Sequence, residues 1–159
     1  MTDPVADSIL AKLTDLGITL PAPLAPVAAY VPTVEVGGFL YVSGQVSFAD
    51  GKFITGRLGE DVTVEQGIAA AHACGLLLLA QAKAALGSLD RVERVVKLGA
   101  FIASTGDFID QPKVANGASE LMVAAFGEAG RHTRSAVGVP VLPLGVAVEI
   151  DAVFAVRTA

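Results

Sequence analysis

Arg134 and Glu149 stand fifteen residues apart in the stretch 132-HTRSAVGVPVLPLGVAVEIDAVFAV-156, within a chain where only 17% of residues are charged. A guanidinium is a planar, permanently charged fork that grips a carboxylate with two hydrogen bonds. A glutamate nearby can orient or deprotonate a water. Together they suit a site that holds a small acid and adds water to it, or else a structural ion pair on a strand edge. Both residues fall on strand-like runs, so geometry separates the cases. If residues 140–143 form a four-residue hairpin loop, Arg134 faces Glu149 on one side of the sheet. If the chain passes over an intervening strand, the two are a strand apart and flank a pocket or a cleft between subunits.

Other chemistry-bearing residues are sparse. Ser43-Gly44-Gln45 follows a strand-like run directly, and glycine there lets a ligand approach the backbone. Asn116 sits inside a helical stretch against its propensity, which points to a specific hydrogen bond. His72 lies within an apolar helix and reads as a hydrogen-bonded helix residue more readily than as a general base. Cys74 reads as a small buried hydrophobe, with no basic sequence neighbour to activate it. His132 reads as a loop histidine that could orient a substrate anion. The glycines match neither dinucleotide nor phosphate-loop spacing. Asp50 and Asp61 form no metal-ligand series.

The elements that must position these residues follow from periodicity. Residues 4–16 carry apolar side chains at helical spacing, with Gly17 as the stop. Residues 21–32 hold four prolines and must run extended against the body of the fold. Strands are expected at 34–36 and 39–43, with Gly37-Gly38 as a two-residue hairpin turn. Residues 43–61 read as a loop with a short strand and a turn at Asp50-Gly51. Thr63-Val64-Glu65-Gln66 is a capping box opening a helix that runs to Leu86, with Gly87 beyond it. A β-branched strand spans 91–104. A second helix runs from Asp110, a candidate cap, through Phe126, with Pro112 in its first turn. Strands near 134–139 and 145–156 finish the chain. The order predicts an α+β domain, a mixed sheet with two main helices covering one face.

Composition narrows the function classes. Hydrophobic residues make up 53% of the 159, net charge is −5, and there is no Lys/Arg run. The electrostatic footprint of a nucleic-acid binder is missing. One cysteine rules out an intramolecular disulfide or a cysteine zinc cage. The uninterrupted apolar run at 73–80 is too short to span a bilayer, and the acidic N-terminus lacks a signal-peptide start. The expectation is a cytoplasmic protein with apolar surface left for subunit contacts.

Taken together, Tyr30-Val31, 39-FLYVSGQ-45, Asn116 after Phe108-Ile109-Asp110, 134-RS-135, Leu142-Pro143 and 148-VEIDAV-153 resemble the RidA (reactive intermediate deaminase A) or YjgF family. The first 26 residues look like an added helix and proline-rich arm before a family domain at 27–159. The resemblance implies a chorismate-mutase-like fold and a homotrimer with a barrel-like core and clefts between subunits. It implies hydrolysis of enamine/imine intermediates such as 2-aminoacrylate to 2-keto acids and ammonia, without cofactor or metal. By it, Arg134 binds the substrate carboxylate, Glu149 positions the attacking water, and Tyr30, Ser43 and Asn116 line the cleft. Gly44 and Ala136 fall where backbone groups meet ligand. Ala136 replaces a cysteine of the family archetype, so a backbone contact is kept and thiol chemistry is not. The alternatives are a carboxylate-binding regulatory trimer, a hydrolase of another imine or amide, and an endoribonuclease, which the acidic composition disfavours. The expected partners are a second and third copy of the chain and a small carboxylate or imino acid, with neither nucleic acid nor membrane.

Overall fold

A computed structural model describes residues 6–159. The first helix, α1, spans Ser8–Asp15; residues 4 and 5 of the expected helix lie outside the described part. Asp7 caps it, its Oδ1 accepting from the Leu10 N–H at 2.8 Å and its Oδ2 from the Leu89 N–H at 2.9 Å. Leu13 is fully buried in the common core. The proline-rich stretch lies against the body, where the buried Gln81 side chain donates to the Leu24 carbonyl at 2.8 Å.

Strands β1 (Thr33–Val36) and β2 (Phe39–Val46) form the expected hairpin. Gly37 and Gly38 both take positive φ, which such a two-residue turn requires. The segment after them holds a small hairpin, β3 (Phe48–Ala49) and β4 (Lys52–Phe53), around the Asp50-Gly51 turn. Helix α2 spans Val64–Leu86, and both bonds of the Thr63/Gln66 capping box are formed. Strand β5 is Val92–Ala103, helix α3 is Gln111–Phe126, β6 is Thr133–Val139 and β7 is Val148–Val156. Asp110 was a candidate cap for α3, but its side chain makes no capping bond. It pairs with Lys113 at 3.4 Å instead.

The main sheet runs β1-β2-β7-β5-β6, antiparallel except for the parallel β5–β6 pair, which α3 connects. One face carries Leu40, Val42, Leu98, Ile102, Ile150 and Phe154, all buried beneath α2 and α3. This explains why α2 is apolar nearly all round: sheet, α3 and arm enclose it. By length and hydropathy the helix could cross a membrane, yet 61% of its most apolar window is buried within the fold.

The two helices cross closely through glycines. A Cβ on Gly117 would run into the Ile68 carbonyl oxygen and sit 3.0 Å from the His72 nitrogen. Gly117→Ala should therefore lower stability by about 2–3 kcal/mol despite its better helix propensity. A thermal melt should show a Tm fall of roughly 5–10 °C.

Among the described residues, no helix lies over the opposite sheet face. Val34, Val36, Phe39, Tyr41 and Val137 are all more than a third exposed there. The connection between β6 and β7 covers only one end of this face, through Leu142 and Val146 packed with Ala103.

Candidate functional site

The residues singled out by sequence fall into two groups. Arg134, Asn116 and Ala136 form the first, on the helix-covered face. Arg134 pairs with Leu98 and Ala136 with Ala100 across the β5–β6 ladder, and both β5 partners are core residues. Arg134 Nη1 donates to Asn116 Oδ1 at 2.9 Å and to Ser119 Oγ at 3.0 Å; Nη2 donates to the Pro112 carbonyl at 3.3 Å. A guanidinium has five N–H groups. Among the described residues three are thus committed, and Nε–H with one Nη2–H is left, the number a bidentate carboxylate grip needs.

Ser119 is one residue the sequence reading passed over. It lies three positions after Asn116, so both sit on one helix face, and that spacing was the available signal. His132 backs it, with Nε2 at 2.9 Å from Ser119 Oγ and Nδ1 at 2.6 Å from the Gly130 carbonyl. The arrangement fits a neutral imidazole. Nδ1–H donates to Gly130, Ser119 donates to Nε2, and Arg134 donates to Ser119. Burial, chiefly, and the Arg134 charge push the His132 pKa below its ordinary value, so the ring is neutral at pH 7. Ser119→Ala should weaken binding of a small carboxylate about three- to tenfold, since it loosens the aim of Arg134 without removing it. Calorimetric titration of both proteins would measure it.

Tyr30, Ser43, Gly44 and Glu149 form the second group, toward the open face. Between Val42 and Gln45 the β2–β7 register shifts, so that Ser43 and Gly44 together oppose Asp151. This is a β-bulge, a device that re-aims side chains beside sites. Ser43 Oγ donates to the Val31 carbonyl at 2.8 Å and its N–H to the Pro32 carbonyl at 2.9 Å. These bonds fasten the segment that carries the exposed Tyr30. A Cβ at Gly44 would be 2.7 Å from Glu149 Oε1, so the glycine makes the space the carboxylate occupies. Glu149 pairs with Val46 on one side and Phe101 on the other. Its half-buried position, first, and the Asp151 charge, second, hold its pKa above the ordinary value. Asp151 lies against Gly99 and is also raised, mainly by burial. It is the second residue the sequence reading missed, and its place two positions after Glu149, on the same strand face, could have flagged it.

Arg134 and Glu149 do not face each other. Residues 140–147 do not form a hairpin loop; they include a short helical turn at Pro143–Gly145, and β5 lies between β6 and β7. Arg134 is level with Leu98 and Glu149 with Phe101. Two strand spacings and three residues of rise put their Cα atoms about 14 Å apart, on opposite faces of the sheet. The β-branched runs marked the strands but carried no signal for their order.

Cys74 is fully buried, its Sγ 3.4 Å from the Val148 carbonyl oxygen, and burial pushes its thiol pKa well up, which makes it inert. His72 is part-buried on α2 at the crossing with α3. Among the described residues, no three His, Cys, Asp or Glu side chains converge to hold a metal.

The chain and its fold have clear relatives. The family model described as "YjgF/chorismate mutase-like, putative endoribonuclease" matches residues 10–155. Protein TCP17 of Trypanosoma cruzi is 53% identical over 91% of this chain and 91% of its own. The structure of Atu1372, a protein of unknown function from Agrobacterium tumefaciens, superposes with a TM-score of 0.87 at 46% identity, covering 94% of this chain and 92% of that one. RidA from an Antarctic Psychrobacter superposes at 0.58 with 32% identity, over 85% and 94% of the two chains. The chain belongs to the YjgF/RidA family and has its chorismate-mutase-like α+β fold.

Proposed function

We propose that this protein hydrolyses small imino acids of the 2-aminoacrylate class to 2-keto acids and ammonia. The observation that carries the reading is the Arg134 head. Three of its N–H groups are fixed by Asn116, Ser119 and Pro112, and two are free for a carboxylate. Holding the acid group fixes the imine carbon relative to the protein. Glu149 takes a proton from water as its oxygen bonds to that carbon. Glu149 hands that proton to nitrogen, and the proton of the new hydroxyl follows as the C–N bond breaks, so that ammonia leaves and the carbonyl forms. Ser43, Gly44, Tyr30, Asn116 and Ala136 line the cleft in this scheme.

One protomer keeps Arg134 and Glu149 on opposite sheet faces, so a complete site draws them from two copies. The uncovered apolar face, with Val34, Val36, Phe39, Tyr41 and Val137, supports such an assembly. A homotrimer with clefts between subunits is the form the family resemblance implies. The free, buried thiol of Cys74 suits a cytoplasmic setting. A net charge of −5 disfavours a polynucleotide substrate. The same Arg134 half-site alone supports a second reading, a carboxylate-binding module without turnover.

A coupled assay tests the choice. A PLP-dependent lyase generates 2-aminoacrylate, and its decay is followed with and without this protein. Faster loss of imine absorbance supports the hydrolase. Carboxylate binding with unchanged decay would move the assignment to the binding module.

A further inference from the structure

A polar cavity of about 330 Å³ opens where β5 and β6 end and α3 begins, lined in part by Arg57, Ser104, Thr105, Gln111 and Gly138. Arg57 belongs to the loop between β4 and α2. Its backbone is firmly held: its N–H donates to Asp61 Oδ1 at 2.7 Å, and its carbonyl accepts from Asp61 and Val62 at 3.2 and 3.1 Å. The next residue, Leu58, is fully buried. The Arg57 head is the contrast, because no hydrogen bond joins it to any described residue. Nε is shut off from solvent without an acceptor, the side chain as a whole is 41% exposed, and the Glu60 carboxylate stands 4.0 Å away on a still more exposed side chain. A buried donor left without a partner is costly, and a guanidinium on a rigid base suits an anionic acceptor that comes from outside.

Of the other polar side chains of the cavity, Ser104 and Thr105 have spent their hydroxyl donors, and Gln111 keeps one uncharged N–H. Ser104 Oγ donates to the Ile102 carbonyl, Thr105 Oγ1 to Asp107, and Gln111 Nε2 to the Phe108 carbonyl. Arg57 is therefore the group that sets the charge preference. Gly138 keeps the space open, since a Cβ there would stand 2.5 Å from Ser104 Oγ and 2.8 Å from Gln111 Nε2. The cavity lies further along β6 from the Arg134 group, on the same sheet face. Gly138 is on the same face of β6 as Arg134 and Ala136, by the two-residue period of a strand. Gln111 directly precedes Pro112, whose carbonyl accepts from Arg134. The two arginines thus flank the first turn of α3, with about 13 Å of β6 between Arg134 and Gly138.

We propose that the Arg57 cavity is a second carboxylate subsite, taking the distal acid group of a dicarboxylic imino acid whose first carboxylate lies on Arg134. The link to Arg134 rests on the function proposed above; the subsite itself does not. The same chemistry could come from a separate monocarboxylate ion, and binding measurements distinguish the sources. Succinate, glutarate, adipate and butyrate would be titrated by calorimetry into the full chain, Arg57→Gln, Arg57→Lys and Arg134→Ala, with thermal melts confirming that each variant is folded.

The expected result is that at least one dicarboxylate binds about tenfold more tightly than butyrate. Arg57→Gln should remove that gain and leave butyrate binding unchanged, and Arg57→Lys should retain part of it. Two equivalents of butyrate on the wild type and one on Arg57→Gln would keep the subsite but assign it to a separate ion, overturning the dicarboxylate. Identical affinities and stoichiometries for wild type and Arg57→Gln with every probe would overturn the subsite itself. Butyrate affinity and stoichiometry left unchanged by Arg134→Ala would count against the Arg134 reading and leave the Arg57 comparison valid.

Discussion

Arg134→Ala should cost roughly a hundredfold to ten-thousandfold in kcat/KM for 2-aminoacrylate. On the proposed function, the two free N–H groups would make charge-assisted bonds to the substrate carboxylate, each worth about 1.5–3 kcal/mol, and every 1.36 kcal/mol is a factor of ten in rate. Stability should change little, by about 1 kcal/mol or less. Arg134 sits on an edge strand, and its bonds to Asn116 and Pro112 lie at the surface. Arg134→Lys should recover only a small part of the activity, because an ammonium cannot present a planar fork. The assay is the coupled imine decay, read beside a thermal melt. A folded Arg134→Ala protein with undiminished turnover would contradict the assignment.

Glu149→Gln should lose about a hundredfold to ten-thousandfold in kcat, the usual range for a general base. Its effect on stability has the opposite sign. The folded-state pKa of Glu149 is raised by burial and by Asp151. A raised group holds its proton better in the folded state, so its stabilising contribution is full below the ordinary carboxylate pKa. That contribution is lost as pH rises through the folded value. At neutral pH the ionised carboxylate therefore burdens the fold. The glutamine variant should melt higher than wild type there, with the gap closing as pH falls into the carboxylate range. Activity follows the ionised form, so its acidic limb should lie above the ordinary glutamate range. Asp151→Asn should move that limb to lower pH, because it removes the second cause of the shift. A Tm gap that widens on acidification would contradict this account.

Most of the scaffold could be read from residue order. The Gly37-Gly38 turn, the Thr63/Gln66 capping box and the β-branched run in β5 each signal their element locally, and each element stands where its signal placed it. The strand order could not be read. Whether β6 meets β7 or β5 depends on how α3 packs across the sheet, a long-range choice that the two prolines between β6 and β7 do not announce. That choice decides the site, since it sends Arg134 to one sheet face and Glu149 to the other. Asn116 was legible because an asparagine inside a helix demands a reason, and its reason is Arg134. Ser119, Asp151 and Arg57 were harder to see, since serine on a helix, aspartate on a strand and arginine in a loop are all ordinary at the surface. Asp110 misled in the other direction: the right residue for a cap was present, but its backbone lies near φ −95°, ψ 26°, outside the extended region a cap adopts.

The central claim is that the two half-sites are joined only between copies of the chain. Mixing two dead proteins tests it most directly. Arg134→Ala and Glu149→Gln variants, co-assembled in equal amounts, would form interfaces at random. About one site in four would then hold a native Arg134 from one copy and a native Glu149 from its neighbour. The account predicts that the mixture regains roughly a quarter of wild-type imine hydrolysis, with each parent alone inactive. Mixed oligomers demonstrated by native mass spectrometry, yet no more active than their parents, would contradict it.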